Sequence, residues 1–369
     1  MSRAGAGDGW PPMPAPVGPV DADALEAAAR QLAERCQGRV GRDLPLAPMT
    51  TFRLGGPAAL FLRAEGDADL VALGEVLAAT RLPLLVVGRG SNLLVADAGW
   101  PGVVLHLGQR FRRVEVDGTE LEAGAAMPLP GLAARSAAAS LGGMAFAVAI
   151  PGTVGGGVRM NAGAHGTELA DRLVWADVVH LADPATGPPG RDPTAAGDGP
   201  AAAPRLPRGP TRLKPDELGF SYRRSALAPG AVVTAARFSL APAAEAAVRA
   251  EIDEARRWRR DNQPVNQPNC GSVFANPTEM AAGRVLERLG MKGEHVGGAR
   301  VSEVHANFIV AADGARSADV LALIRRAMRR ARDELGITLR TEVQLVGDFG
   351  DPPEGHGRQA PADPLGAAG

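Results

Sequence analysis

Cysteine is nearly absent from this 369-residue chain; only Cys36 and Cys270 occur. That excludes a disulfide scaffold and a cysteine-rich metal site, and it fits a reducing cytoplasm. Six histidines are scattered without HxxxH or HExxH spacing, so no metal site is expected. Aromatic residues make up 4% of the chain, with a single tyrosine, Tyr222. The arginine clusters 256–260 and 325–332 therefore lack the stacking platform that single-stranded nucleic acid requires. Formal net charge is −1, which gives no global field to recruit nucleic acid or an anionic membrane. No apolar run approaches eighteen residues, so no membrane span is expected, and the first twenty residues lack a signal-peptide core.

Glycine is abundant and unevenly placed. The segment 150–169, IPGTVGGGVRMNAGAHGTEL, holds six glycines in twenty residues. Each glycine costs roughly 0.5–1 kcal/mol inside a helix or strand, so the density predicts a loop. A backbone without Cβ atoms can approach a ligand and turn N–H groups toward an anion such as a diphosphate. A second glycine loop, Gly88-Arg89-Gly90-Ser91-Asn92, is followed at once by the strand-like LLVAD. A dinucleotide fingerprint needs G-x-G-x-x-G opening a helix, so the Rossmann reading is rejected.

The remaining pattern predicts order between Pro/Gly-rich ends. A helix is expected from Asp21 to Cys36, then strand 57–65, helix 67–80 and strand 82–88. Short strands over 102–125, a helix over 128–142 and a strand over 172–182 follow. Residues 184–210 are dominated by Pro, Gly and Ala and read as a flexible insertion. Val248, Ile252, Ala255 and Trp258 share one face of a further helix; another is expected over 317–335, and TLRTEVQLVG reads as a closing strand. The fold class is α+β. The expected division is a disordered 1–20, units 21–107, 108–241 and 242–349, and a disordered tail from 350.

Candidate chemistry is thin when residues are taken singly. Arg223 beside Tyr222 offers a planar fork suited to carboxylate or phosphate, or simply to a surface ion pair. Glu342 is an acid within an apolar strand pattern. Ser272 follows Cys270-Gly271 but lacks a G-x-S-x-G elbow. Cys270 has no activating cation nearby in sequence and reads as structural.

Taken together and in order, TFRLGGPA (51–58), VVGRGSNLLVAD, IPGTVGGGVRMNAGAHGTEL, FSYRRS, NCGSVFANP, GARVSEVHANFIV and TEVQLVG resemble the UDP-N-acetylenolpyruvoylglucosamine reductase family. The resemblance is to its second type, which lacks an extra substrate-capping loop. It implies two subdomains that cradle FAD, like those of vanillyl-alcohol oxidase, and a C-terminal α+β domain over the substrate. It implies NADPH as reductant, a UDP-sugar enolpyruvyl ether as substrate, and a place in peptidoglycan synthesis. A cytoplasmic monomer is expected, with no nucleic-acid partner. Arg223 and Glu342 match residues that stabilise the enolic intermediate, and Ser272 matches the proton donor. FAD contacts are carried over to Phe52, Gly55, Gly56, Val87, Gly88, Arg89, Gly90, Ser91 and Asn92. The glycine-rich segment adds Pro151, Gly152, Thr153, Gly155, Gly156, Asn161 and Gly163. Substrate contacts are carried over to Tyr222, Arg223, Asn276, Lys292, His305 and Asn307. The chain departs from the family pattern at Thr50, Ala145, His165 and Ala275. Ala275 stands where a basic residue is frequent, so Arg284, Lys292 or the 256–260 cluster is expected to meet the substrate diphosphate. Two rival readings are the same fold with another alcohol or enol as substrate, and a flavin- or partner-binding protein without catalysis.

Overall fold

The computed structural model describes residues 20–181 and 209–350. The expected disordered start, most of the 184–210 insertion and the expected disordered tail lie outside the described residues.

The first unit opens with α1 (Ala22–Arg35), whose first turn is capped by the Asp21 carboxylate accepting from the Asp23 N–H at 3.0 Å. It continues through β1 (Arg39–Pro45), β2 (Pro57–Ala64), α2 (Asp67–Thr80), β3 (Leu84–Val86), β4 (Leu93–Val95) and β5 (Trp100–Leu107). Four strands form one sheet in the order β1-β2-β5-β3, with β2, β5 and β3 parallel. The central parallel strands β2 and β5 are largely buried, which explains the unbroken apolar run ALFL, while the edge strand β3 is half-buried. Asp69 is buried and satisfied, accepting from the N–H groups of Gln37, Gly38 and Glu65 at 2.7–3.1 Å.

The middle unit begins with β6 (Val114–Asp117), β7 (Glu120–Gly124), α3 (Leu129–Ala138) and β8 (Leu141–Gly142). Next come α4 (Val154–Arg159), the short pair β9 (Gly163–Ala164) and β10 (Thr167–Glu168), and β11 (Leu173–His180). Beyond the insertion lie β12 (Thr211–Leu213), β13 (Ala231–Ser239) and β14 (Ala241–Pro242). An antiparallel sheet runs β12-β11-β13-β7-β6.

Helix α4 corrects the expectation of a loop through the glycine-rich segment. Gly155, Gly156 and Gly157 lie inside it. Close packing offsets their helical cost. A Cβ on Gly155 would stand 2.9 Å from the Cβ of Ala125, and one on Gly157 would stand 2.6 Å from Leu169 Cδ1.

The last unit contains α5 (Glu245–Asn262), α6 (Ala282–Arg288), β15 (His295–Val296), β16 (Ala299–Val301), β17 (Ile309–Ala311), α7 (Ser317–Leu335) and β18 (Gln344–Val346). Val248, Ile252 and Ala255 of α5 join the core of the middle unit, against α3 and the turn 145–149. Trp258 continues the same stripe yet is 46% exposed, because the helix has by then run past the edge of that core.

Three links dock the last unit on the first. Strand β18 pairs in parallel with β4, Gln344 opposite Leu93. Phe52, Leu54 and Leu94 enter the last unit's apolar core. The Asp97 carboxylate caps α7, accepting from the N–H groups of Ser317 at 2.8 Å and Ala318 at 3.2 Å. Among the described residues no helix is long and apolar enough to cross a membrane.

Candidate active site

A cleft of about 410 Å³ opens where the three units meet, within the size range of small-molecule sites. Its first wall is the loop 88–92 between β3 and β4. Gly90 takes a left-handed φ of 57°, and a Cβ there would stand 2.4 Å from Met49 O. Among the described residues, none of the backbone N–H groups of Gly88, Arg89, Gly90, Ser91 or Asn92 donates to another protein group. Five free donors on consecutive residues form the kind of nest that accepts phosphate oxygens. A second wall comes from residues 149–153 and the start of α4, where the Gly152 N–H is likewise free. A Cβ on Gly88 would meet Thr153 Oγ1 at 2.6 Å, so the two walls nearly touch. This cradle fits the diphosphate and ribityl chain of FAD. Gly88, Arg89, Gly90, Ser91, Asn92, Pro151, Gly152, Thr153, Gly156 and Gly163 all line the cleft.

The other residues expected at the cofactor make contacts within the protein. Phe52 is buried in the last unit's core, and Val87 is buried with its N–H on Leu105 O. Gly55 and Gly56 pack against Val95 and the backbone of Asp97–Gly99. Gly155 gives its N–H to Ala125 O at 2.9 Å, so that donor does not face the cleft. Asn161 is 2% exposed, and its side chain holds Glu168 Oε2 at 2.7 Å and the Ala170 N–H at 3.1 Å. These glycines are small for the protein's own backbone, a use that a sequence does not distinguish from ligand approach.

The third wall carries the polar constellation. Arg223 and Tyr222 sit at the tip of a tight turn closed by Ser221 and Arg224, and Arg223 adopts φ 57°. Such a conformation is unusual for a residue with a Cβ, and strain of this kind gathers at functional sites. Arg223 Nε donates to Glu342 Oε1 at 3.1 Å, Nη1 to Glu168 Oε1 at 3.1 Å and Nη2 to Gly163 O at 2.9 Å. The Tyr222 ring lies 4.8 Å from the guanidinium carbon. Burial pushes the Glu342 carboxyl above its ordinary range, while Arg223 pulls it back. Asn92 fixes the Glu342 backbone: its Nδ2 donates to Glu342 O at 3.1 Å and its carbonyl accepts from the Gln344 N–H at 2.9 Å. The expected closing strand is correspondingly short: Thr341 bridges Phe274, and the Glu342 and Val343 N–H groups turn to Val273 O, so β18 begins only at Gln344.

Ser272 lines the same cleft, after Gly271 at φ 80°. The loop is held by Asn307, whose Oδ1 accepts from the Phe274 N–H at 2.9 Å and whose Nδ2 donates to Phe274 O at 2.8 Å. Asn307 borders the cleft, but its amide is spent on this clamp. Asn276 borders it too, its Oδ1 capping α6 through the Ala282 N–H. Lys292 and His305 do not line the cleft. Lys292 pairs with Glu287 at 2.8 Å, and His305 Nδ1 accepts from the Asn307 N–H at 3.1 Å. Burial pushes the Cys270 thiol far above its ordinary value, which keeps it inert.

Two residues of the expected 256–260 cluster reach the cleft, and one residue outside the expected site touches its polar constellation. Arg259 belongs to the anticipated 256–260 cluster, borders the cleft and, among the described residues, has only neutral Gln263 as a side-chain partner, at 3.0 Å. Trp258 stands beside it, its ring 5.1 Å from that of His165 in an edge contact. Glu168 touches Arg223 across a sequence separation of 55 residues.

Comparison with known proteins agrees with this architecture. Residues 58–183 match the family described as FAD binding domain, and residues 263–346 match UDP-N-acetylenolpyruvoylglucosamine reductase, C-terminal domain. A UDP-N-acetylenolpyruvoylglucosamine reductase of Anaeromyxobacter dehalogenans (strain 2CP-C) is 45% identical over 88% of this chain and 90% of its own length. One from Heliobacterium modesticaldum is 39% identical over 89% of this chain and 98% of its own. The crystal structure of UDP-N-acetylenolpyruvylglucosamine reductase from Thermus caldophilus superposes with a TM-score of 0.67 at 35% identity, covering 84% of this chain and 99% of that one. The chain belongs to the UDP-N-acetylenolpyruvoylglucosamine reductase family, FAD-binding oxidoreductases that act on a UDP-sugar.

Proposed function

We propose that this chain uses NADPH to reduce UDP-N-acetylglucosamine enolpyruvate to UDP-N-acetylmuramate, in the cytoplasm and for peptidoglycan synthesis. One observation carries the reading: Arg223, Ser272 and Glu342, from separate segments, line one cleft with the free N–H groups of 88–92. Bound FAD supplies the hydride relay between NADPH and the enolpyruvyl methylene.

The protein's part is to orient and to stabilise charge. The loop 88–92 and the Gly152 N–H hold the cofactor's diphosphate. Arg223 retains two of its five N–H donors after its three protein contacts, enough for a bidentate fork on the substrate carboxylate. Negative charge spreads over that carboxylate and the adjacent carbon as hydride arrives. Fixed donors in a dry site are worth about 3–4 kcal/mol each against such charge. Ser272 gives its hydroxyl proton to the adjacent carbon, and Glu342 lies across the Arg223 contact as the second stabilising group. Tyr222 and Asn276 border the sugar, and Arg259 meets the substrate diphosphate. Its uncompensated charge and half-buried place support that role over Lys292, which Glu287 already neutralises.

The test is an absorbance spectrum of the flavin-loaded protein under argon. The flavin band should bleach with NADPH and return only when UDP-N-acetylglucosamine enolpyruvate is added. A band that bleaches but ignores this substrate would refute the reading.

A further inference from the structure

Arg223 is one cation held between two carboxylates, Glu168 and Glu342. With all three ionised the group already carries a net charge of −1. A substrate carboxylate on the remaining Arg223 donors would make three anions around one guanidinium. Donor count allows that arrangement; charge does not favour it. Like charges that share a site push one of them toward its protonated form.

The two glutamates differ in how many donors they face. Glu168 accepts from Arg223 Nη1 and from Asn161 Nδ2, and its side chain also takes the Asp171 N–H in a capping box. Asn161 is itself anchored to the Ala170 N–H and to Ser221 O. Three donors thus converge on the Glu168 carboxylate. Glu342 accepts from Arg223 alone and is the more buried of the two, its side chain 17% exposed against 30%. Other ionisable groups near Glu342 do not supply the missing balance. The Cys270 thiol is held neutral by burial. Arg159 is spent on the carbonyls of Leu227, Ala228 and Ala231, Arg259 is turned to Gln263, and Arg89 lies on the glycine-loop wall.

We propose that a carboxylate ligand seated on Arg223 loads a solvent proton onto Glu342, and that Glu168, held by Asn161, is the fixed charge that drives it. The step consumes one proton from water, converts the Glu342 carboxylate to a carboxylic acid, and moves no electrons. Glu168 is a positioning residue: it acts through Arg223. The outcome is a neutral acid next to the place where negative charge develops, able to donate a hydrogen bond that an ionised Glu342 lacks. The inference rests on the substrate reading above.

Isothermal titration of the flavin-loaded protein at pH 7.5, in two buffers of different ionisation enthalpy, counts the protons. UDP-N-acetylmuramate, which carries the carboxylate, should take up about one proton per site, and UDP-N-acetylglucosamine, which lacks it, close to none. In Glu168→Gln the uptake should fall by half or more, and affinity should shift toward the carboxylate ligand by about tenfold. Binding of UDP-N-acetylmuramate without proton uptake, or uptake unchanged in Glu168→Gln, overturns the proposal alone. If neither nucleotide sugar binds, the substrate reading falls and this inference with it. The comparison of the two ligands needs only the unaltered chain, so it decides even where the variant fails to fold.

Discussion

Arg223 Nε reaches Glu342 Oε1 at 3.1 Å across 119 residues of chain, and this contact joins the middle unit to the last one inside the cleft. A lysine at 223 would keep the charge and lose the fork. Its single ammonium cannot hold Glu342, Glu168, Gly163 O and a substrate carboxylate together. Arg223→Lys should therefore lower kcat about 100-fold or more. Stopped-flow measurement should place that loss in flavin reoxidation by the enolpyruvyl substrate, with flavin reduction by NADPH within about twofold of the parent. Near-parental turnover would remove Arg223 from the catalytic set.

Ser272 separates the two half-reactions more sharply. Serine is a weak acid, so it serves only when fixed against the carbon that receives its proton, and the Asn307 clamp on Phe274 is what fixes this loop. Ser272→Ala should leave reduction by NADPH intact and slow reoxidation by about 10²–10⁴-fold. Equal slowing of both steps would mark Ser272 as structural.

These residues were legible in the sequence because each sits in a motif with little freedom: FSYRRS, CGSVF and TEVQLVG. Helices α2 and α7 were legible for another reason, their long regular apolar spacing, and their bounds match the expectation. What stayed hidden is contact across the chain. Glu168 lies inside GTEL, yet nothing in that string says that its carboxylate meets Arg223. Trp258 carries the helical spacing of a core residue and leaves the core only because α5 outruns it. Lys292 and His305 resemble substrate ligands by motif, and the motif does not show the local partner each has in the fold, Glu287 for one and the Asn307 N–H for the other.

Glycine was read as ligand approach, and two glycines test how far that holds. Gly155→Ala would drive a Cβ to 2.9 Å from the Cβ of Ala125, between rigid neighbours. It should cost about 1–3 kcal/mol of stability by denaturant unfolding. Gly88→Ala would meet Thr153 Oγ1 at the cleft wall. Its larger effect should be on flavin, read as a higher Kd for FAD at a nearly unchanged midpoint of the apoprotein. The reverse pattern, with Gly155→Ala losing flavin and Gly88→Ala losing stability, would invert the assignment of the two walls.

Arg259 borders the cleft with only a neutral side-chain partner, and burial moves its guanidinium below its ordinary value. A cation in that state gains from any anion that reaches it. Arg259→Gln should raise KM for the UDP-sugar about tenfold or more and leave kcat within about twofold, the pattern of lost uniform binding. A fall in kcat at constant KM would place Arg259 at the reacting carbon instead.

Glu342 also predicts a pH dependence of stability. Burial raises its carboxyl above the unfolded value of 4.5, and the ion pair with Arg223 offsets only part of that. Between 4.5 and the higher folded value, the folded chain keeps a proton that the unfolded chain has released. Stability therefore falls as pH rises through this window: the contribution is whole below 4.5 and lost once Glu342 ionises in the fold. Glu342→Gln has no proton to lose, and its amide oxygen still accepts from Arg223 Nε. Melting temperatures of the parent and variant, followed from pH 4 to pH 8, should start close together and diverge in favour of the variant. The sign decides the matter. If the parent gained on the variant with rising pH, the Arg223 contact would outweigh burial, and Glu342 would be an ordinary stabilising ion-pair partner.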